Sequence, residues 1–374
     1  MDLTAAMTLD RLNAEHAGEV VAERVCPPFL RRASRLPVVG RKGAANNIDR
    51  LMNRLHDYPR YLRGVVRSGR FDLYHLADHS YSQLLHVIPR GRGVVTCHDL
   101  DTFRCLFDPE REPRPRWFRA MARHILNGLT KAAGVACNSA VTRDELIERE
   151  IVVPCRAVVV PMGTHPECSP RPDPAADAEA ARLLGPPGET VEILHVGSNI
   201  PRKRIDVLLK VFAEARKTEP DARLIKVGGA FPPHLAQLAR ELGVADAVVA
   251  LPFLTPATLA AVYRRATLVL LPSESEGFGL PAAEALACGA ILLASDIPAL
   301  REVAAPAAEL LPVGDVAEWS AVTRMFLSTL HGRPDALSGR REVGLSRARR
   351  YTWSAHAEAL VTLYRDVLGY LGPV

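Results

Sequence analysis

Short apolar runs alternate along the chain with longer stretches whose apolar residues recur every three or four positions. The runs read as buried strands and the longer stretches as amphipathic helices. In the first half the strand pattern falls at residues 20–25, 71–76, 94–97, 134–138 and 157–161. Helical spacing falls at 1–16, 48–66, 80–87, 116–132 and 141–150, with Asp78 and Ser139 placed to cap two of these helices. A stretch at 169–189 breaks the alternation. Its five prolines lie among alanines and charges, the composition of a connecting segment with a short helix. The pattern then resumes, with strands expected at 191–196, 222–227, 247–251, 266–272 and 290–295. Helices are expected at 205–217, 235–242, after Thr255 to Arg265, 281–287, 315–327 and 351–371. Strands alternating with helices of this length predict an α/β chain built on parallel, doubly wound sheets.

Composition narrows the class further. A chain of 374 residues with 48% hydrophobic residues is long enough for two such domains. The net charge of +5 suits an enzyme handling phosphorylated ligands, or one touching an anionic membrane, and does not indicate nucleic acid. Seven cysteines are scattered without a C-x-x-C pair, the usage of a reduced, cytoplasmic protein. No apolar stretch reaches membrane-spanning length and no signal peptide is visible.

The most informative stretch is 270–303. A strand runs into the loop 273–279, which ends Glu276-Gly277-Phe278-Gly279. A helix follows with Pro281 in its first turn, Gly289 stops it, and a second strand begins at Ala290. Two glycines let a ligand approach the backbone, and the helix N-terminus favours an anion. Glu276 and Glu284 are too far apart in sequence to pair on one helix face, which suits contact with two parts of one long ligand. Residues 197–204, Gly197-Ser198-Asn199-Ile200-Pro201-Arg202-Lys203-Arg204, repeat the strand–turn–helix arrangement with three consecutive cations. Cations at a helix start oppose its dipole, which argues for an anionic ligand rather than a solvated surface.

Glu276-Gly277-Phe278-Gly279-Leu280-Pro281, followed by Glu284, resembles the E-x7-E signature of the family 4 (group 1) retaining glycosyltransferases. The segment at 196–203 resembles that family's V-G-x-x-x-P-R-K loop. VVTCHDL, CNSAVTRDEL and VVVPMGTH resemble its first-domain strand ends. The resemblance implies the GT-B fold, two Rossmann-like domains of parallel, doubly wound sheet facing across a cleft. The expected division is an acceptor domain at 1–168, a linker at 169–189, a donor domain at 190–350, and a terminal helix at 351–374 crossing back to the first domain. Trp353 is expected to anchor that helix by packing.

The same resemblance implies retaining transfer of a sugar from a UDP- or GDP-sugar to a hydroxyl acceptor in glycan, glycolipid or glycoside synthesis, without metal or cofactor. Catalytic roles fall on Glu276, His98 and Lys203. Glu276 takes the sugar hydroxyls and Glu284 the ribose hydroxyls. Gly277, Phe278, Gly279 and Leu280 offer backbone N–H groups to sugar and phosphate. Lys203 takes the donor diphosphate, assisted by Arg202; some members carry an Arg where this chain has Ser198, which leaves more of the phosphate charge to Lys203. His98, at a strand end, reaches the transferred sugar or the diphosphate. Residues 251–254 are expected near the base.

Several features stand beside this scheme. Asp99 and Asp101 spell D-x-D, read here as local capping rather than a metal site. His75 and His79 read as packing residues more than acceptor contacts. Residues 111–123, with Trp117 and Phe118, read as a solvated helix face, with peripheral membrane contact as the alternative. The family's first strand and Gly-rich loop are missing before the first helix, so a shortened N-terminus is expected, unless 20–25 takes the strand's place. Two further readings remain: a GT-B epimerase of nucleotide sugars, and a non-catalytic nucleotide-sugar binder.

Overall fold

The computed structural model describes residues 2–35, 42–188 and 190–369. Residue 189, where the expected linker ends, and 370–374, the end of the expected terminal segment, lie outside the described residues. The chain forms two compact units, Met1–Pro161 with Trp353–Val374, and Met162–Thr352.

Among the described residues the first unit holds four parallel strands in sequence order: β1 (Tyr74–Leu76), β2 (Gly93–Cys97), β3 (Gly134–Cys137) and β4 (Ala157–Val159). Their side chains alternate between two cores, as the period of a strand requires. Val95, Cys97, Val135 and Cys137 meet Ile125 and Leu129 of helix Arg116–Leu129. Val94 and Ala136 meet Leu12 of helix Asp2–Glu15 and Leu360 and Leu363 of helix Trp353–Gly369. Both faces are covered, which is why these strands read as largely apolar runs. Asp78 and Ser139 cap the elements that follow β1 and β3, accepting from Ser80 N and Thr142 N.

Residues 20–25 are not a strand. Asn13 Nδ2 donates to the Ala22 carbonyl and Asn13 Oδ1 accepts the Ala22 N–H, both at 3.0 Å. Those backbone groups are therefore unavailable to a sheet ladder. Val20 and Ala22 pack instead against the core under the terminal helix, and β1 remains an edge strand.

The second unit has six parallel strands in the order β10-β9-β8-β5-β6-β7. They are β5 (Glu192–Val196), β6 (Arg223–Val227), β7 (Val248–Leu251), β8 (Leu268–Leu271), β9 (Leu292–Ser295) and β10 (Glu309–Leu311). The strand at β10 and the helices Pro298–Ala304 and Ser338–Ala348 go beyond the expected elements. The stretch read as a linker carries helix Pro174–Leu184, capped by Asp173, whose Ala176, Ala180 and Leu184 join the core of this unit. Strand order runs outward from β5 to β6 on one side, while β5 pairs with β8 on the other. The sheet reverses there. Ligands of open α/β sheets bind at the carboxyl ends of strands at such a switch point.

Candidate functional site

The turn after β5 and the loop after β8 both lie at that switch point. The first is 197–204. Its last residue, Arg204, has φ 48° and ψ 48°, a left-handed conformation that L residues adopt only where surroundings impose it, and helix Ile205–Ala215 begins directly after it. The second loop is 273–279. Gly279, at φ 94°, enters helix Leu280–Ala287 with Leu300 Cδ2 only 2.6 Å from where a Cβ would stand. Glycine is therefore required at this point on two counts.

These loops are joined directly. Glu274 N donates to the Arg202 carbonyl at 2.7 Å, and Arg202 Nη1 donates to the Ser275 carbonyl at 2.6 Å. Glu276 is the hub: its Oε1 accepts from Lys203 Nζ at 2.5 Å and Ser273 Oγ at 2.8 Å, and its Oε2 accepts from Arg202 Nη1 at 3.0 Å. The Glu276 side chain is 6% exposed and that of Lys203 9%. Burial pushes the Glu276 carboxyl up, but the Lys203 charge and hydrogen bond, with Arg202 and Ser273, outweigh it and hold the group below its usual range. Two cations against one carboxylate leave this corner positive.

The structure thus brings Glu276, Lys203 and Arg202 together, where the resemblance gave the glutamate to the sugar and the cations to the diphosphate. It places Glu284 separately. Glu284 is buried inside helix Leu280–Ala287 and accepts from Tyr263 Oη at 3.1 Å. Burial, only partly offset by that hydrogen bond, pushes its carboxyl up to about 7. Phe278 turns inward, 4% exposed, with its ring edge-on to Tyr351 at 5.4 Å, so the loop offers a ligand the backbone of Phe278 rather than its side chain. Gly277 and Leu280 flank it, both half-buried. At 251–254, Leu251 is buried and its carbonyl accepts from Gly228 N and Gly229 N, while Phe253 is 79% exposed.

Four groups at this end of the sheet escaped the motif reading. Ser273 and Tyr263 are the hydroxyl partners of the two glutamates. His195 and Lys226 are polar residues inside the apolar strands β5 and β6, both fully buried. A charged residue interrupting a run such as Arg223–Val227 is the sequence signal for the last.

In the first unit His98 stands at the end of β2. Its Nε2 donates to the Ala77 carbonyl at 2.9 Å, its backbone N–H to His79 Nδ1 at 3.3 Å, and Asn138 Nδ2 donates to its carbonyl at 2.8 Å. Nε2 is committed to Ala77, so a ligand would meet Nδ1. His75 is half-buried and bonded to Tyr364 Oη and Thr96 Oγ1, and burial pushes it down to about 3. His79 is buried with Asp78 Oδ1 at 3.7 Å and Asp99 Oδ1 at 3.8 Å; burial outweighs both carboxylates and lowers its pKa. Asp99 accepts from Asp101 N, and Asp101 pairs with Arg104 at 2.8 Å. Among the described residues no group of three or more His, Cys, Asp or Glu is placed to hold a metal ion. Trp353 is 3% exposed and packs against His356, while Trp117 is 61% exposed. No helix among the described residues is long and apolar enough to cross a membrane.

Residues 178–329 match the family Glycosyl transferases group 1, and residues 6–167 match Glycosyltransferase Family 4. A D-inositol 3-phosphate glycosyltransferase from Thermobispora bispora is 31% identical over 330 residues, covering 82% of this chain and 75% of that protein. One from Segniliparus rotundus is 34% identical over 249 residues, which cover 64% of this chain and 54% of that relative's length. Among solved structures, Anabaena HepE in complex with UDP and glucose aligns with a TM-score of 0.68 at 17% identity, covering 84% of this chain and 83% of that one. The fold is GT-B, with one parallel α/β sheet in each unit. The chain belongs to the family 4, group 1, glycosyltransferases.

Proposed function

We propose that the protein transfers a sugar from a UDP- or GDP-sugar to a hydroxyl acceptor with retention at the anomeric carbon. The observation that carries this reading is the Arg202–Lys203–Glu276 cluster at the switch point, next to the N-terminus of the helix that holds Glu284. Glu284 takes the ribose hydroxyls and Glu276 the sugar hydroxyls. The backbone N–H groups of 277–280 face sugar and phosphate. His98 Nδ1 is the nitrogen that would reach the transferred sugar.

In the transfer, the bond between the anomeric carbon and the diphosphate oxygen breaks, and its electron pair leaves with the diphosphate. Lys203, Arg202 and the two helix N-termini stabilise the charge that grows there, so the chain's own cations do what a metal does in other transferases. The acceptor oxygen bonds to the same face, and its proton passes to the departing diphosphate. A double displacement through Glu276 is less well supported, because both of its carboxylate oxygens are already engaged by cations and Ser273.

The relatives' inositol phosphate activity makes a phosphorylated polyol the first acceptor to try. HepE, solved with UDP and with UDP-glucose, makes UDP the first nucleotide to try. An anionic membrane is the further partner proposed, met through the arginines and Trp117 of 111–123. The test is calorimetric titration with UDP and GDP, repeated on Glu284→Ala, followed by assay of sugar release to acceptor. The reading expects one nucleotide to bind and to lose roughly 1–3 kcal/mol in the variant, the cost of a buried polar contact left unmade. Binding of neither nucleotide refutes the donor site. Binding without transfer over a broad acceptor panel leaves a nucleotide-sugar binder.

A further inference from the structure

The geometry points to Lys226 as a positioning residue of the diphosphate site: it pins the Gly197 turn from beneath and adds a buried positive charge where Ser198 supplies none. This inference rests on the donor-site reading above.

Lys226 lies in β6, in register with His195 of β5 and Ala250 of β7. It is fully buried. Its Nζ donates to the Gly197 carbonyl at 2.6 Å and to the Val227 carbonyl at 3.3 Å. Both bonds are to carbonyls and neither is to a carboxylate. An ammonium so placed carries a desolvation cost that an apolar side chain at the same strand position would not. An anion bound above the turn would offset that cost.

The turn is built to receive this contact. Gly197 N donates to the Val227 carbonyl at 3.0 Å. Gly228, at φ 115°, lies so close that a Cβ there would stand 2.2 Å from the Gly197 carbonyl oxygen. The carbonyl is therefore held between Lys226 Nζ and the Gly228 backbone. A Cβ on Gly197 would meet His195 Nε2 at 3.3 Å and Lys203 Cε at 3.6 Å.

His195, paired with Lys226 across the sheet, supplies no counter-charge. It is fully buried, and its Nδ1 donates to the Leu270 carbonyl at 2.9 Å, which leaves Nε2 as the unprotonated nitrogen. Nε2 has no hydrogen-bond partner among the described residues, and it faces the Gly197 turn. Burial pushes this ring down to about 3, so it stays neutral. The charged group that acts on Lys226 is Lys203, on the turn after β5; the neutral His195 pairs with Lys226 across the sheet, and Glu276, on the loop after β8, acts on His195. Burial first, and Lys203 next, lower Lys226 to about 8. A bound diphosphate favours the protonated amine, so affinity should fall as pH rises above that value.

The experiment titrates wild type, Lys226→Met and Lys226→Gln with whichever of UDP and GDP binds the wild type, and with the matching nucleoside, at pH 7 and pH 9. Expected for Lys226→Met is a roughly ten- to hundredfold loss for the diphosphate at pH 7, the scale of a hydrogen bond to a charged group, with nucleoside affinity unchanged. Wild type should bind the diphosphate more weakly at pH 9, and both variants should lose that dependence. Lys226→Gln keeps a donor for Gly197 without the charge, and it serves if Lys226→Met does not fold. Equal diphosphate affinity in wild type and variants overturns the inference. So does an equal loss for nucleoside and diphosphate, which a merely structural lysine would give. A wild type that binds neither diphosphate overturns the donor-site reading itself and this inference with it.

Discussion

Glu284 is a buried carboxyl that accepts a hydrogen bond from Tyr263. It is expected to hold down the stability of the second unit near neutral pH. Its pKa rises from 4.5 to about 7 on folding. At about 1.36 kcal/mol per pH unit, that rise corresponds to about 3 kcal/mol. The direction follows from proton binding. Between 4.5 and about 7 the folded chain keeps a proton that the unfolded chain has lost, so unfolding free energy declines with rising pH across that window and is flat above it. Glu284→Gln removes the titration and keeps an acceptor for Tyr263. The variant should therefore gain on wild type by about 3 kcal/mol between pH 4.5 and pH 8, while losing nucleotide affinity. Denaturant unfolding of both proteins at pH 5, 6, 7 and 8, followed by a probe in the second unit, measures the difference, and other titrating groups cancel in it. A difference that does not change with pH would refute the reasoning, and so would one that shrinks as pH rises.

Other outcomes follow from the same geometry. Glu276→Gln should abolish transfer and lower stability at pH 7 by about 3–5 kcal/mol, the cost of leaving a buried cation without its counter-ion. Because the Glu276 carboxyl is held below its usual range, that penalty should be present above about pH 4.5 and fade as pH falls through the lowered value, which thermal unfolding across acid pH would show. Gly279→Ala must find room 2.6 Å from Leu300 Cδ2 at φ 94°, so a loss of about 1–3 kcal/mol is expected, measurable by chemical denaturation. Lys203→Met should weaken nucleotide diphosphate binding more than nucleoside binding, which calorimetry resolves. Transfer should persist in excess EDTA, because Lys203 and Arg202 supply the charge at the leaving group; loss of activity there, restored by divalent cation, would count against that role.

The strands that the apolar pattern marks most clearly, at 94–97, 134–138, 191–196 and 266–272, are those with both faces covered, where most residues must be apolar to pack. β10 is only three residues long and begins with Glu309, and helix Ser338–Ala348 is largely polar, so neither leaves a strong periodic trace. The run at 20–25 has strand composition, yet one side chain, Asn13, claims the backbone of Ala22. Such a claim is tertiary and has no local signature. At the site, the glutamates and cations carry a motif. Tyr263, His195 and Lys226 act through neighbours distant in sequence, and only their polarity within apolar strands or a buried helix hints at them. Ser273 bonds Glu276 three residues on in the same loop, where a serine is ordinary and carries no signal.

The backbone and side-chain bonds from Arg202 to Glu274, Ser275 and Glu276 have a consequence for how this domain can be rebuilt. The two loops are encoded about seventy residues apart, yet they form one mechanical part, and neither has its working shape without the other. A chimera that imports either 197–204 or 273–279 alone from a related enzyme would inherit half of a joint. Exchanges meant to alter donor choice should carry both loops together, with Lys226 and Gly228 from the same source.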